Sequence, residues 1–350
     1  MSSTIMLKLR GAPGSPYTRK MCAVLRYRHI PYRFIIQGSR EDHDLPEPAV
    51  RLLPTFFLPD DAGREVAVVD STPLIRRFER DFTGRSIVPS DPVVAFVDLL
   101  LEDYADEWLT KAMFHYRWAH AADIEKAAAI LPRWSRVDAD DEHVAGLSRM
   151  FAKRQIDRLG VVGSNSTTAP IIEASYRRFL HLFDAHLSRQ PFLMGHRPGA
   201  SDFAMYGQLT QLAGFDPTPA ALTLQTAPRI VAWVDVVDDL SGLEPSETGW
   251  TTRSDVPETL QALLGEMGRV YAPFLLANAA ALASGAAQIE CTIDGAPWVQ
   301  RPFPYQGKCL RWLREAYAAL AVADRAAVDR LLTGTGCATL FTSIGKSFSR

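Results

Sequence analysis

Ser15-Pro16-Tyr17-Thr18 stands where an amphipathic helix should begin, and its spelling matches a C-P-Y-C redox site with both sulfurs exchanged for hydroxyls. No disulfide can form between Ser15 and Thr18, which argues against thiol–disulfide exchange at this corner. What such a corner retains is the capacity to hold someone else's thiolate. The free N–H groups and positive dipole end of a helix start favour a sulfur anion, and the Ser15 hydroxyl can donate a hydrogen bond to it. Further along, Leu53-Pro54 enters a strand candidate. A cis X-Pro bond there would leave the Leu53 N–H and C=O free to pair with an extended peptide. Asp70-Ser71 opens another helix candidate, whose N–H groups and hydroxyl suit a carboxylate, while Asp70 suits an ammonium group. Taken singly, each stretch reads as an ordinary cap or strand entry. Taken in order, they fit one ligand carrying a thiol, a short peptide backbone, a carboxylate and an α-amino group.

Periodicity gives the elements that must position these residues. Ile5 to Leu9 is a strand candidate; Ser15 then reads as an N-cap and Pro16 as the first helical residue. Tyr17, Met21, Val24 and Leu25 share one helical face. Tyr32 to Ile36 and Thr55 to Leu58 read as strands, and Glu65 to Val69 pairs back as a hairpin before the helix that starts at Asp70-Ser71. Strand, helix, strand, hairpin, helix implies a mixed sheet with helices packed on it. Beyond Pro89 the pattern is helical. Asp91 to about His120 reads as one long helix with Val97, Leu101, Tyr104, Trp108 and Ala112 on a stripe, and further helices are expected near 143–159, 169–189, 200–214 and 226–240. The last hundred residues read as a helix over Val256 to Ala283, a hairpin around Asp294-Gly295-Ala296-Pro297, and two final helices, Tyr305 to Ala321 and Asp324 to Leu332. The expected domains are therefore 1–83, 90–250 and a C-terminal α+β extension, 251–350.

Composition narrows the class. A formal net charge of -2 supplies no basic field for nucleic acid or an anionic membrane, and no run of apolar residues is long enough to span one. The start, MSSTIMLKLRG, lacks the apolar core of a signal peptide. Cys22, Cys291, Cys309 and Cys337 show no ligand spacing, which favours a reducing cytoplasm with the thiols packed as small apolar groups. The eight histidines form no H-E-x-x-H pair, so local spacing predicts no metal.

The segments SPYTRKMCAVLRYRHIPY, LPTFFLPD and EVAVVDSTPLIRRFE resemble the α/β thioredoxin-like N-terminal domain of the cytosolic glutathione S-transferases. PFLMGHRPGASDFAMYGQL and TAPRIVAWVDVV resemble parts of that family's all-α C-terminal domain, so the resemblance spans about residues 4–245. It implies glutathione as co-substrate, with Ser15 in the catalytic position as hydrogen-bond donor to its thiolate, Leu53 clasping the cysteinyl backbone, Pro54 as the cis-proline of that site, and Asp70 and Ser71 holding the γ-glutamyl group. It also implies a homodimer and conjugation to a small electrophile. On the helix DYADEWLTKAMFHYRWAH, Trp108, Lys111, His115 and Trp118 fall on one face and, with Tyr17, form the expected wall for that second substrate. Two features depart from the family pattern: Gly199 stands where a Ser or Thr usually caps the helix before Asp202, and the tail beyond about 250 is additional. The same helix also resembles that of metaxin-like and failed-axon-connections-type proteins. A non-catalytic binding or scaffold protein therefore stands as the alternative, together with glutathione-dependent reduction or lyase chemistry.

Overall fold

The structure, a computed structural model, describes residues 6–246 and 248–342; Ile5, at the start of the first strand candidate, lies outside them. The first part alternates as expected: β1 (Leu7–Gly11), α1 (Pro16–Tyr27), β2 (Tyr32–Ile36), β3 (Thr55–Pro59), β4 (Glu65–Val68) and α2 (Ser71–Asp81). The sheet order is β2-β1-β3-β4. β1 runs parallel to β2, with Leu9 opposite Phe34, and antiparallel to β3, which turns back into β4. One parallel pair and two antiparallel pairs, with α1 and α2 packed on the sheet, make a thioredoxin-like unit.

A helical region comes next. The expected long helix over 91–120 is divided: α3 (Pro92–Tyr104) passes through a π-helical turn at Ala105–Leu109 into α4 (Thr110–Ala119). The predicted stripe Val97, Leu101, Tyr104, Trp108 and Ala112 is fully buried nevertheless. α5 (Ala121–Ile130), which periodicity missed, leads to α6 (Asp141–Ile156), α7 (Ala169–Leu187) and α8 (Ala200–Leu209). A second π-helical turn, Thr210–Phe215, closes α8, and α9 (Pro217–Thr226) and α10 (Pro228–Asp238) complete this region.

The tail contributes α11 (Glu258–Ser284), the hairpin β5 (Ile289–Ile293) and β6 (Ala296–Gln300), α12 (Pro304–Ala319) and α13 (Val322–Leu332). The hairpin turn is the two-residue Asp294-Gly295, both at positive φ, tighter than the four-residue turn expected. The tail is not an appendage. α11 lies along α7, and α12 and α13 lie on α3. Phe96 of α3 meets Tyr317 and Phe341 at ring-centroid distances of 5.8 and 5.4 Å. One continuous apolar cluster runs from the sheet through the helical region into the tail.

Candidate ligand site

Ser15 caps α1 as expected: its Oγ accepts the Thr18 N–H at 3.2 Å, and Pro16 occupies the first helical position. The loop before it is held from three directions. Pro13 O accepts from Arg19 Nε at 3.0 Å and Gln211 Nε2 at 3.3 Å, and Gly14 O accepts from Arg117 Nη1 at 3.0 Å. Arg19 therefore clamps the loop that precedes its own helix. Arg117 is itself fixed by the Asp216 carboxylate, at 2.9 Å from Nε. The start of α1 rests on α8 at Gly207, where an added Cβ would meet Pro16 O at 2.5 Å, so only glycine permits that approach.

Leu53-Pro54 is cis, and Ser15 Oγ lies 3.5 Å from Leu53 O. Ser71, at the start of α2, is buried and joined to the same helix as Ser15 through Lys20. Lys20 Nζ, wholly buried, donates to Ser71 Oγ at 3.2 Å, Glu102 Oε1 at 2.8 Å and Asp106 Oδ2 at 2.6 Å. Burial alone would lower the ammonium's pKa; the two carboxylates outweigh it and raise the pKa above its ordinary value. Lys20 is the positioning residue that sequence reading passed over. A lysine buried within an amphipathic helix reads as an error of pattern, and its partners Glu102 and Asp106 stand far away in sequence. Thr72 Oγ1 donates to Glu102 Oε1 at 3.1 Å, which ties the start of α2 to α3 as well. Asp70, in a left-handed backbone conformation at φ 89°, points its carboxylate toward Lys308 of α12, at 3.5 Å.

Residues 9–86 match the family model described as glutathione S-transferase, N-terminal domain. The match covers the sheet-bearing first part of this chain, from β1 to just past α2. No curated protein matches the chain. Among solved structures, it is similar to a glutathione S-transferase from Methylobacterium radiotolerans in complex with glutathione sulfonate, at 16% identity and TM-score 0.38 over 67% of this chain and 91% of that one. It is also similar to a glutathione transferase family member from Pseudomonas fluorescens with two glutathione bound, at 13% identity and TM-score 0.41 over 69% and 92%. The Tau class enzyme from mango gives 18% identity and TM-score 0.42 over 69% and 93%.

The missing side-chain cap at Gly199 has a physical account. Asp98 of α3 reaches the start of α8, and its Oδ1 accepts the Ser201 N–H at 3.1 Å and the Ser201 hydroxyl at 2.5 Å. A Cβ on Gly199 would stand 2.3 Å from that oxygen. The capping acceptor comes from another helix and occupies the place a Ser or Thr side chain would take. Asp202 holds the other side, its Oδ2 accepting from Gly199 N and its Oδ1 from Leu193 N, both at 2.9 Å.

The structure places the four helix residues of the expected second-substrate wall in the interior. Trp108, Lys111, His115 and Trp118 are all buried and face different neighbours. The π-helical turn shifts the helical phase between Tyr104 and Thr110, and the tail covers the face that would otherwise be open. Trp108 packs on Trp298 at 5.4 Å and Phe274 at 6.0 Å, and its Nε1 donates to Ser175 Oγ at 3.0 Å. Lys111 Nζ donates to Val162 O at 3.0 Å and Gln300 Oε1 at 3.2 Å, over the Phe274 ring at 4.1 Å. Burial, only partly offset by Glu107, lowers its pKa to about 7. Trp118 belongs to a separate small apolar cluster with Ala127, Ala152 and Phe151. Tyr17 is half-buried, its hydroxyl donating to Asp106 O at 2.6 Å. What does adjoin the start of α2 is a cavity of about 30 Å³, room for about one water, lined among others by Thr72, Asp103, Asp106, Glu107, Tyr305 and Cys309.

Among the described residues, no helix is long and apolar enough to cross a membrane. Cys22, Cys309 and Cys337 are buried free thiols and Cys291 is partly buried.

Proposed function

We propose that the chain binds glutathione across Ser15, Leu53-Pro54, Asp70 and Ser71 and conjugates it, as thiolate, to a small electrophile. The observation that carries this reading is the meeting of the Ser15 hydroxyl with the Leu53 carbonyl, 3.5 Å apart at the N-terminus of α1. A tripeptide lying along Leu53 would bring its sulfur to the helix start, where N–H groups and the Ser15 hydroxyl favour the anion. The thiolate then attacks an electrophilic carbon: a carbon–sulfur bond forms, and the leaving group departs with the electron pair of the bond that breaks. Ser15 donates a hydrogen bond throughout and forms no covalent bond. The Ser71 hydroxyl and the helix start behind it suit the γ-glutamyl carboxylate, and Asp70 suits its ammonium.

Glutathione affinity and conjugation to a chlorinated nitroaromatic test this reading. Ser15→Ala should lower turnover roughly 10- to 100-fold, the size of a hydrogen bond to a charged group, and unchanged turnover removes Ser15 from the mechanism. A second reading has its own support: Lys308 already pairs with Asp70, and the tail fills the expected substrate wall. On that reading the chain is a non-catalytic, metaxin-like binding protein. It gains if glutathione does not bind at all while a stable partner is retained. Cytoplasmic location rests on the cysteine usage, and assembly as a homodimer on the family resemblance alone; light scattering on the full chain measures the latter.

A further inference from the structure

The expectation that this chain carries no metal rests on local histidine spacing, and the fold assembles a constellation that spacing cannot show. His115 lies in α4, His120 caps its end, and Glu173 projects from α7. His115 Nε2 lies 3.2 Å from Glu173 Oε1, and His120 Nε2 lies 3.5 Å from the same oxygen. One ligand atom from each of the three residues falls within 4.8 Å of the other two.

We propose that His115, His120 and Glu173 form a three-ligand site for a divalent transition-metal ion of the zinc class, bound through two imidazole nitrogens and one carboxylate oxygen. Four arguments support it. First, ligand bonds of about 2.0–2.1 Å in a tetrahedron place neighbouring ligand atoms about 3.3–3.4 Å apart. The two measured edges, 3.2 and 3.5 Å, bracket that spacing, and the third edge is at most 4.8 Å. Second, the His120 Nε2 atom is buried yet makes no hydrogen bond among the described residues, although it faces a carboxylate. Third, the far nitrogen of His115 is already held: Nδ1 lies 2.8 Å from the buried Ser164 Oγ. With Nδ1–H donating to Ser164, the Nε2 lone pair points at the site, the arrangement that metal-bound histidines use. Fourth, Tyr116 stacks on His120 at 5.3 Å and 18°, which fixes the plane of that ring.

Two imidazoles and a carboxylate suit zinc or its neighbours better than magnesium or calcium, which prefer oxygen ligands alone. The side chains of His120 and Glu173 are each one-third exposed, so the ion has an entry path. Bound there, it would join the end of α4 to α7. The site shares no residue with the Ser15–Ser71 region and does not depend on the function proposed for it.

The test uses the full chain, stripped with a chelator and then titrated with Zn²⁺ by calorimetry and with Co²⁺ by visible absorption. The expected result is one ion per chain, with the intense Co²⁺ bands of a tetrahedral nitrogen–oxygen site, bleached by added Zn²⁺. His120→Ala and Glu173→Gln remove partly exposed side chains and should leave the circular dichroism unchanged while weakening binding by more than about 100-fold. Ser164→Ala should weaken it by about 10- to 100-fold, the usual effect of losing a group that orients a ligand. Cys291→Ser should leave binding as it is. Uptake no tighter in the wild type than in His120→Ala, or a weak six-coordinate Co²⁺ spectrum, overturns the proposal. Uptake lost only in Cys291→Ser also overturns it.

Discussion

Lys308 Nζ stands 3.5 Å from Asp70 Oδ2, so a residue from the tail holds the acidic group that opens α2. If Asp70 receives the ammonium of a glutathione-like ligand, Lys308 competes with that ammonium for the same oxygen. The Lys308 side chain is 40% exposed and also lies 4.1 Å over the Trp312 ring, so an alternative resting place is at hand. An exposed ion pair is worth about 0.2–1 kcal/mol. Lys308→Ala should therefore tighten glutathione binding by up to about 5-fold in calorimetry, whereas Asp70→Asn should weaken it. Weaker binding in Lys308→Ala would instead make Lys308 a contact for a ligand carboxylate.

The cap shared between α3 and α8 gives a second prediction. Gly199→Ser restores the residue type usual in the family, yet its Cβ would meet Asp98 Oδ1 at 2.3 Å. Overpacking of this kind costs about 1–3 kcal/mol. Denaturant unfolding should show that loss with an unchanged slope. In the double variant Gly199→Ser, Asp98→Ala, the new hydroxyl has room to cap, and the two changes should be strongly non-additive. A neutral Gly199→Ser would mean that Asp98 does not occupy the cap.

How much of this was legible in the sequence depends on how local the cause was. The start of α1 could be read because a serine cap, a proline and an apolar face lie within one turn of helix. The pairing of β3 with β4 could be read from alternation and a Gly-containing turn. The division of α3 from α4 could not, because a π-helical turn leaves the apolar stripe intact and merely rotates the residues beyond it. Trp108 and Lys111 therefore looked like a pocket wall; Trp298, Phe274 and Gln300, which bury them, come from a tail whose docking face no periodicity reveals. Asp98 and Lys20 escaped for a related reason. A buried charge is costly unless paired, and the sequence showed the charges without their partners.

The acidic lining beside α2 predicts an unusual pH profile. Burial, reinforced by Asp106 and Glu102, raises the Asp103 carboxyl to about 7 even though Tyr271 donates a hydrogen bond to it. Its ordinary value is 3.8. Between those values the folded chain holds a proton that the unfolded chain has released, so stability falls as pH rises from about 4 to about 7. Asp103→Asn should flatten that descent in chemical unfolding measured across the window. A change of one in pKa is about 1.4 kcal/mol, which makes the descent a matter of a few kcal/mol. A descent of the same depth in Asp103→Asn would assign it elsewhere.

Lys111 acts in the opposite sense at higher pH. Its ammonium is held down to about 7 by burial, against 10.5 ordinarily. From about pH 7 to 10.5 the unfolded chain therefore binds the proton that the folded chain has lost, and stability rises with pH. These two groups therefore act in opposite senses on either side of neutrality, Asp103 below about pH 7 and Lys111 above it. Lys111→Met keeps the length and apolar stem of the side chain against Phe274 and removes the titrating group. The variant should be as stable as the wild type or more so at pH 7, with the alkaline rise gone and the acid descent kept. Replacement leaves the acceptors Val162 O and Gln300 Oε1 without their donor, which sets an upper bound on the gain. If Lys111→Met instead loses several kcal/mol at neutral pH and keeps the rise, Lys111 is charged in the fold and its contacts with the tail hold the chain together.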